Sequence, residues 1–370
     1  MELKKTIKLY YDNSIFASQK IGGISIVFGE IIKRIKNYSD LFSISFLING
    51  NSEDNLIFKN FNDEFRLEQE FIKMPKALIP FMPILKKIPS GAIFHSTYTR
   101  YSIQKDIIKI ITIHDLGYEH KIMRTGIRRF IHLFFKRIAI RNANGIICVS
   151  ENTKKDLEFF YKDILQKTTI EVIYNGISGD YFQYDQTLLN NSPKKYILFV
   201  GARFTYKNFK FVVEIMQHLN SYTLVIAGGN KVNSKELEYL NKKIKGKFIL
   251  SQNLNNQELN ELYNNAFCLI YPSSYEGFGI PILEAMSAGC PTIALNASSI
   301  PEVSGQASIL LDKLSIEAFL TEIRKLENRE YRDKIIELGI TQAKKFSWDI
   351  CAEQTMNFYK KMINLYQKNS

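Results

Sequence analysis

The sequence is short of the features that assign a chain quickly. It has four cysteines in 370 residues, Cys148, Cys268, Cys290 and Cys351, far apart and with no Cys-x-x-Cys pair. That pattern excludes a disulfide framework and a zinc knuckle. Three of the four lie in apolar or small-residue strings (IICVS, AFCLIY, SAGCPT) and read as buried, reduced thiols. There is no Asp-x-Asp, and the histidines lack ligand spacing, so no metal and no cofactor is expected. No apolar run approaches the ~20 residues that cross a bilayer. The N-terminus, MELKKTIKLYYD, lacks a leader's apolar core and cleavage pattern. The expectation is a cytoplasmic chain, soluble or peripheral at the inner face of the membrane. Acid is also in deficit, with 37 Asp and Glu against 49 Lys and Arg, a net charge of +12. Such a surplus favours phosphates, acidic headgroups or nucleic acid without choosing among them. No base-stacking platform or known module accompanies the charge, so nucleic acid is not the expected partner.

What is present is apolar material, at 45% of residues, in a chain long enough for two α/β cores. Short buried-strand runs alternate with amphipathic runs, twice over. The first series has strands at 6–11, 41–48, 92–96, 107–114, 145–150 and 170–176, and helices at 25–37, 126–142 and 151–161. The second has strands at 195–201, 222–229, 247–251, 267–273 and 291–295, with a helix at 208–219. Apolar strands separated by helices imply a parallel sheet covered on both faces. The polar stretch 183–195 separates the series. The expected domains are 1–185 and 190–345, two Rossmann-like doubly wound α/β domains facing each other across a cleft. An amphipathic helix over 346–370, begun by Ser347 as N-cap, is expected to return to the N-terminal domain.

The chemistry concentrates in YEGFGIPILE, 275–284. A glycine-rich loop after a strand opens a helix with Pro281 in its first turn, so the backbone of Gly277, Phe278, Gly279 and Ile280 is placed to meet a diphosphate. Glu276 and Glu284 flank that loop. Carboxylates beside a phosphate site suit sugar and ribose hydroxyls. In VGARFTYKNF, 200–209, Arg203 and Lys207 follow a buried strand, where open α/β sheets bind ligands and where cations neutralise a departing diphosphate. Gly22 and Gly23 form a weaker strand-loop-helix signal without the full GxGxxG. His114 ends a strand within ITIHD and can bond a hydroxyl or a phosphate oxygen. His95, at another strand end, fits a role lining the fold.

These motifs together resemble the glycosyltransferase family 4 group of the GT-B class. The resemblance spans most of the chain: Gly22–Gly23, TIHDL at 112–116, GIICVSENTKKDL at 145–157, VIYNGI at 172–177, VGARFTYKN at 200–208 and YEGFGIPILEAMSAGCPTIA at 275–294. The Glu-x7-Glu spacing of Glu276 and Glu284, continued by Gly289 and Pro291, is the family's hallmark. Tyr174 stands where the family often has proline. The resemblance implies a retaining, metal-independent hexosyltransferase using a nucleotide-diphosphate sugar. Arg203 and Lys207 would contact the donor phosphates, Glu284 the ribose, and Glu276 with Gly277–Ile280 the transferred sugar. His114 and Gly23 would act from the N-terminal domain. The implied acceptor is a glycan or lipid-linked glycan of bacterial surface polysaccharide. A silent nucleotide-sugar-binding subunit, a nucleotide-sugar epimerase and a phosphorylase are the competing readings.

Two segments bear on the acceptor. Residues 71–88 carry Lys73, Lys76, Lys86 and Lys87, and residues 121–141 carry seven basic residues; neither contains an acid. Basic amphipathic segments of this kind can lie on anionic membranes, although a core helix with a solvated basic face has the same pattern.

Overall fold

The computed structural model describes residues 6–49, 52, 54–61, 64–70, 79–123, 126–185 and 195–369. The chain divides into two compact units, Met1–Gly176 with Trp348–Ser370, and Ile177–Ser347. The division therefore precedes the expected 185–190. The reason is local: the backbone N–H groups of Phe182 and Tyr184 donate to the side chains of Asn260 and Asn264, and Ser287 Oγ donates to the Tyr181 carbonyl. Those bonds bind 181–184 to the second unit. Most of the presumed linker, 186–194, lies outside the described residues, as does 71–78 of the first basic segment.

The first unit holds seven described strands, β1 (Ile7–Asp12), β2 (Phe42–Ile48), β3 (Arg66–Gln69), β4 (Ile93–Ser96), β5 (Ile108–Ile113), β6 (Gly145–Cys148) and β7 (Thr169–Val172). They form one parallel sheet in the order β3-β2-β1-β4-β5-β6-β7. The apolar runs seen in the sequence become the central strands; β4 and β6 are buried throughout. Strand β3, RLEQ, was not expected. It is an edge strand, partly solvated, so it carries no apolar run to reveal it. Helices α1 (Ser14–Ser18), α2 (Gly23–Ile35), α3 (Ile127–Asn142) and α4 (Glu151–Tyr161) connect the strands.

The second unit holds β8 (Tyr196–Val200), β9 (Thr223–Ala227), β10 (Phe248–Ser251), β11 (Cys268–Tyr271), β12 (Thr292–Leu295) and β13 (Ile309–Leu311), again parallel, in the order β10-β9-β8-β11-β12-β13. Three-residue β13 was also not expected; it is too short to show a period. The helices here are α5 (Phe209–Met216), α6 (Ser234–Ile244), α7 (Asn256–Asn265), α8 (Ile280–Ser287), α9 (Ile300–Ser304), α10 (Ile316–Lys325) and α11 (Arg329–Ala343).

The last helix, α12 (Trp348–Asn369), starts after Ser347. Trp348, Cys351, Met356, Phe358, Tyr359 and Met362 join the buried core of the first unit with Tyr11 and Phe46. Tyr359 also enters a buried chain of hydrogen bonds. Its hydroxyl lies 2.9 Å from the Tyr11 hydroxyl and 2.6 Å from His95 Nδ1, and His95 Nε2 lies 2.9 Å from Thr112 Oγ1. Burial holds His95 down to about 3, and the ring is fully engaged as a structural core residue. All four cysteines are free and buried. Among the described residues no helix is long and apolar enough to cross a membrane.

Candidate functional site

In the second unit β8 and β11 are neighbours, and the strand order reverses between them: β9 and β10 continue outward from β8, β12 and β13 from β11. Connections leaving two such strands diverge, and the crevice at their carboxyl ends is where doubly wound sheets take ligands. Lys207 comes from the connection after β8 and Glu276 from the one after β11. Their side chains meet, Nζ to Oε1, at 2.8 Å. The Lys207 ammonium also lies 5.2 Å from the Tyr271 ring centre and 3.4 Å from its hydroxyl. The pair is mostly buried yet not sealed, so it is held in place while still reachable.

The two connections are stitched together. Ser274 N–H donates to the Tyr206 carbonyl at 2.8 Å. Asn208 Nδ2 donates to the Pro272 carbonyl at 2.8 Å and to Ser274 Oγ at 2.7 Å. Asn208 holds a left-handed backbone, φ 50°, which asparagine tolerates better than most residues. The glycine loop is fixed from β12's connection: Glu276 N–H donates to Ser298 Oγ at 2.8 Å, and Ser299 Oγ donates to the carbonyls of Glu276 and Phe278 at 2.8 and 2.9 Å. Phe278 is buried edge-on against Phe346. Gly279 precedes Ile280 at φ 106°, a conformation that a side chain would strain even though the space around it is open. No side chain caps α8, so its N-terminus presents an uncapped positive end beside Gly277–Ile280.

Glu284 lies one turn into α8. It accepts a hydrogen bond from the Tyr263 hydroxyl at 2.9 Å. Burial pushes its carboxyl up from 4.5 to about 7, against the downward pull of bonds from Tyr263 and Tyr181. The folded chain therefore holds this proton more tightly than the unfolded one between about pH 4.5 and 7, and the resulting stability is lost as pH rises through that window. Glu284→Gln removes the titration. Its stability relative to the native chain should improve by roughly 2–3 kcal/mol between pH 5 and pH 8, read from urea unfolding at both pH values. An unchanged difference would mean that Glu284 is ionised in the fold like a solvated carboxylate.

Arg203 is not brought into the Lys207–Glu276 pair. Its Nε pairs with Glu236 at 2.5 Å, and its other nitrogens donate to the carbonyls of Gly228 and Asn230. A Cβ on Gly229 would fall 2.9 Å from Arg203 Nη1 and 2.7 Å from the Gly201 carbonyl, so glycine is required for this packing. Arg203 thus joins the ends of β8 and β9 in this structure.

In the first unit His114 follows β5. Its ring is edge-on to Phe28 at 6.0 Å, and its Nε2 is buried without a hydrogen-bond partner. Burial, then the charge of Lys136, holds it down to about 3, so the ring is neutral at pH 7. Gly23 opens α2 with nothing within 4 Å of where a Cβ would stand. Sequence reasoning missed Tyr271, Ser298 and Ser299, although each ends or follows a strand and the carboxyl-end rule pointed at them. It also missed Tyr181, Tyr263 and Glu236, for which no local signal exists.

Residues 71–180 match the model of Glycosyltransferase Family 4, and residues 180–342 match Glycosyl transferases group 1. The chain is similar to O-antigen chain mannosyltransferase B of Escherichia coli, 44% identical over 105 residues, 28% of each chain. It is similar to O-antigen chain mannosyltransferase RfbU of Salmonella typhimurium, 26% identical over 221 residues, 59% of this chain and 60% of that one. The matched stretches thus span less than two thirds of these relatives. HepE of Anabaena, solved with UDP and glucose, superposes with a TM-score of 0.69 at 12% identity over 96% of this chain and 99% of that one. The two models together cover 71–342, and with its two doubly wound parallel sheets the chain belongs to the family 4 glycosyltransferases of the GT-B class.

Proposed function

We propose that the chain is a retaining hexosyltransferase that moves a mannosyl-type sugar from a nucleoside diphosphate to a glycan or lipid-linked glycan of the O-antigen kind. The observation that carries this reading is the Lys207–Glu276 pair at the β8/β11 reversal, beside the uncapped end of α8. A cation and a helix N-terminus suit a departing diphosphate, and a carboxylate accepts the hydroxyl hydrogens of the sugar. The mannosyl preference and the O-antigen setting are supported by the names of the relatives. The nucleotide is supported by the neighbour solved with UDP.

In this reading the second unit takes the donor and the first takes the acceptor. Lys207 neutralises charge as the bond from the anomeric carbon to the phosphate oxygen breaks. Arg203 contributes only after leaving Glu236, a rearrangement that donor binding would drive. Glu276 orients the sugar, and Glu284, half-buried, receives the ribose. The roles expected for His114 and Gly23, toward the sugar and the diphosphate, rest on the family resemblance alone. The acceptor hydroxyl attacks the face the phosphate leaves, its proton passes to the leaving phosphate oxygen, and configuration is retained. No metal enters the scheme.

The test is release of nucleoside diphosphate from a panel of guanosine- and uridine-diphosphate sugars, with and without chelator. Turnover of a mannosyl nucleotide, unaffected by chelator, is expected. Binding without turnover of any donor would favour a silent subunit. Epimerised sugar would favour an epimerase, and phosphate-dependent cleavage a phosphorylase. Loss of turnover on chelation would remove the metal-free scheme.

A further inference from the structure

Helix α3 sends Ala139 and Ile140 into a buried apolar cluster of the first unit, and its inward side carries polar groups as well. Lys136 Nζ, buried, pairs with Glu119 at 2.9 Å and donates to the Asp115 carbonyl at 2.8 Å. His132, also buried, stacks on Tyr118 with ring centres 4.1 Å apart and lies 3.0 Å from the Tyr98 hydroxyl. Tyr161 donates to Glu119 at 2.6 Å. Its outward side carries large apolar groups: Ile127, Phe130 and Phe134 are 73%, 63% and 61% exposed. Steps of three and four along a helix put these three on one stripe with Arg137 and Arg141, which are exposed as well. A soluble helix ordinarily keeps large apolar groups off its solvent side, and clustered exposed aromatics beside arginines mark an interaction surface.

We propose that this stripe of α3 is a docking face for an anionic lipid bilayer. Phenylalanine and isoleucine enter the boundary between headgroups and acyl chains, while arginines at the same level meet lipid phosphates. The charge fits that occupant. Residues 127–141 contain no acid, and the acid that reaches the stripe, Asp163, is paired with Arg137. A second copy of the chain fits less well, because it would bring two acid-free arginine stripes together. The inner face of the same helix holds 115–119, directly after His114. If the transfer proposed above is correct, docking sets that loop near a membrane-borne acceptor; the docking itself needs no donor and stands or falls separately.

The experiment is co-flotation of the full chain with vesicles of phosphatidylcholine alone or mixed with phosphatidylglycerol, at low and high salt. Flotation is expected only with the anionic vesicles and should weaken with salt. Phe130→Ser with Phe134→Ser should lower the partition coefficient by about 100-fold or more. Arg137→Gln with Arg141→Gln should lower it by roughly 30-fold. Both pairs lie on the exposed stripe, so Tm should stay near the native value; if the serine pair unfolds, the glutamine pair decides. Absence of flotation at low salt, or equal flotation of native and variant chains, would overturn the proposal. So would a native dimer that the serine pair converts to monomer, which would give the face to a second copy.

Discussion

Lys207→Ala should lower kcat/KM for sugar transfer by about 100- to 1,000-fold, the loss found when a preorganised donor to a developing anion is removed. The size follows from where the ammonium sits. It lies at the carboxyl end of β8, held 2.8 Å from Glu276 and above the Tyr271 ring, so its position needs no rearrangement when the diphosphate charge grows. Water entering in its place reorients and screens poorly. The fold should tolerate the change, because the stitches between the two connections run through Asn208, Ser274 and the Tyr206 carbonyl and do not use the lysine side chain. Glu276 loses its partner but retains solvent contact, so Tm should fall only slightly. Nucleoside diphosphate release, donor affinity and Tm measured together separate the cases. A large fall in kcat with an unchanged Tm is the expected result. Activity within about fivefold of native would move the leaving-group site elsewhere, with Arg203 the next candidate once freed from Glu236. Lys207→Arg keeps the charge but not the point geometry over Tyr271, and should recover only part of the loss.

The central strands and the glycine loop before α8 were visible in the sequence because both depend on local rules. A buried parallel strand must be apolar throughout, and a loop that meets phosphate must have glycine before a helix. The position of Glu276, Glu284, Lys207 and Gly279 at the carboxyl ends of β8 and β11 and at the start of α8 was therefore legible. What stayed hidden depends on distant parts of the chain. Arg203 had the right place after β8, but its partner Glu236 lies in α6, and nothing near residue 203 announces it. Tyr263 and Tyr181 meet at Glu284 from α7 and from the segment before β8, and the sheet connecting them has to be known first. Helix α3 shows the same limit from another side. Its basic and apolar residues were visible, but the sequence alone fits a helix with phenylalanine inward and arginine outward. The buried Lys136–Glu119 pair and the buried His132 show which side faces in. Polar groups inside a fold follow pairing and not periodicity, so they escape pattern reading.

Glu70→Ala should destabilise the chain by about 3–5 kcal/mol, because it leaves a guanidinium buried without its counter-charge. Glu70 follows β3, and Arg100 follows β4. Their side chains meet at 2.8 Å, essentially out of solvent on both sides. Glu70 Oε1 also accepts the N–H groups of Leu85 and Lys86, while Arg100 donates to the carbonyls of Met82 and Pro83. The pair therefore clamps 82–86 between two strand ends, and each partner takes up backbone hydrogen bonds of that segment. Two contributions are at stake, the unpaired charge and the orphaned backbone groups, and a double-mutant cycle separates them. With both residues changed, Glu70→Ala and Arg100→Met, no buried charge remains, and the chain should recover about 2 kcal/mol relative to the sum of the single losses. Recovery should stop short of native stability because the N–H groups of Leu85 and Lys86 still lack an acceptor. Urea unfolding of the four chains reads the cycle directly. Strict additivity would mean that the two side chains act independently and that 82–86 is held by its own packing. Near-complete recovery would mean that the charge alone was at stake and that the backbone of 82–86 finds water once the clamp is gone.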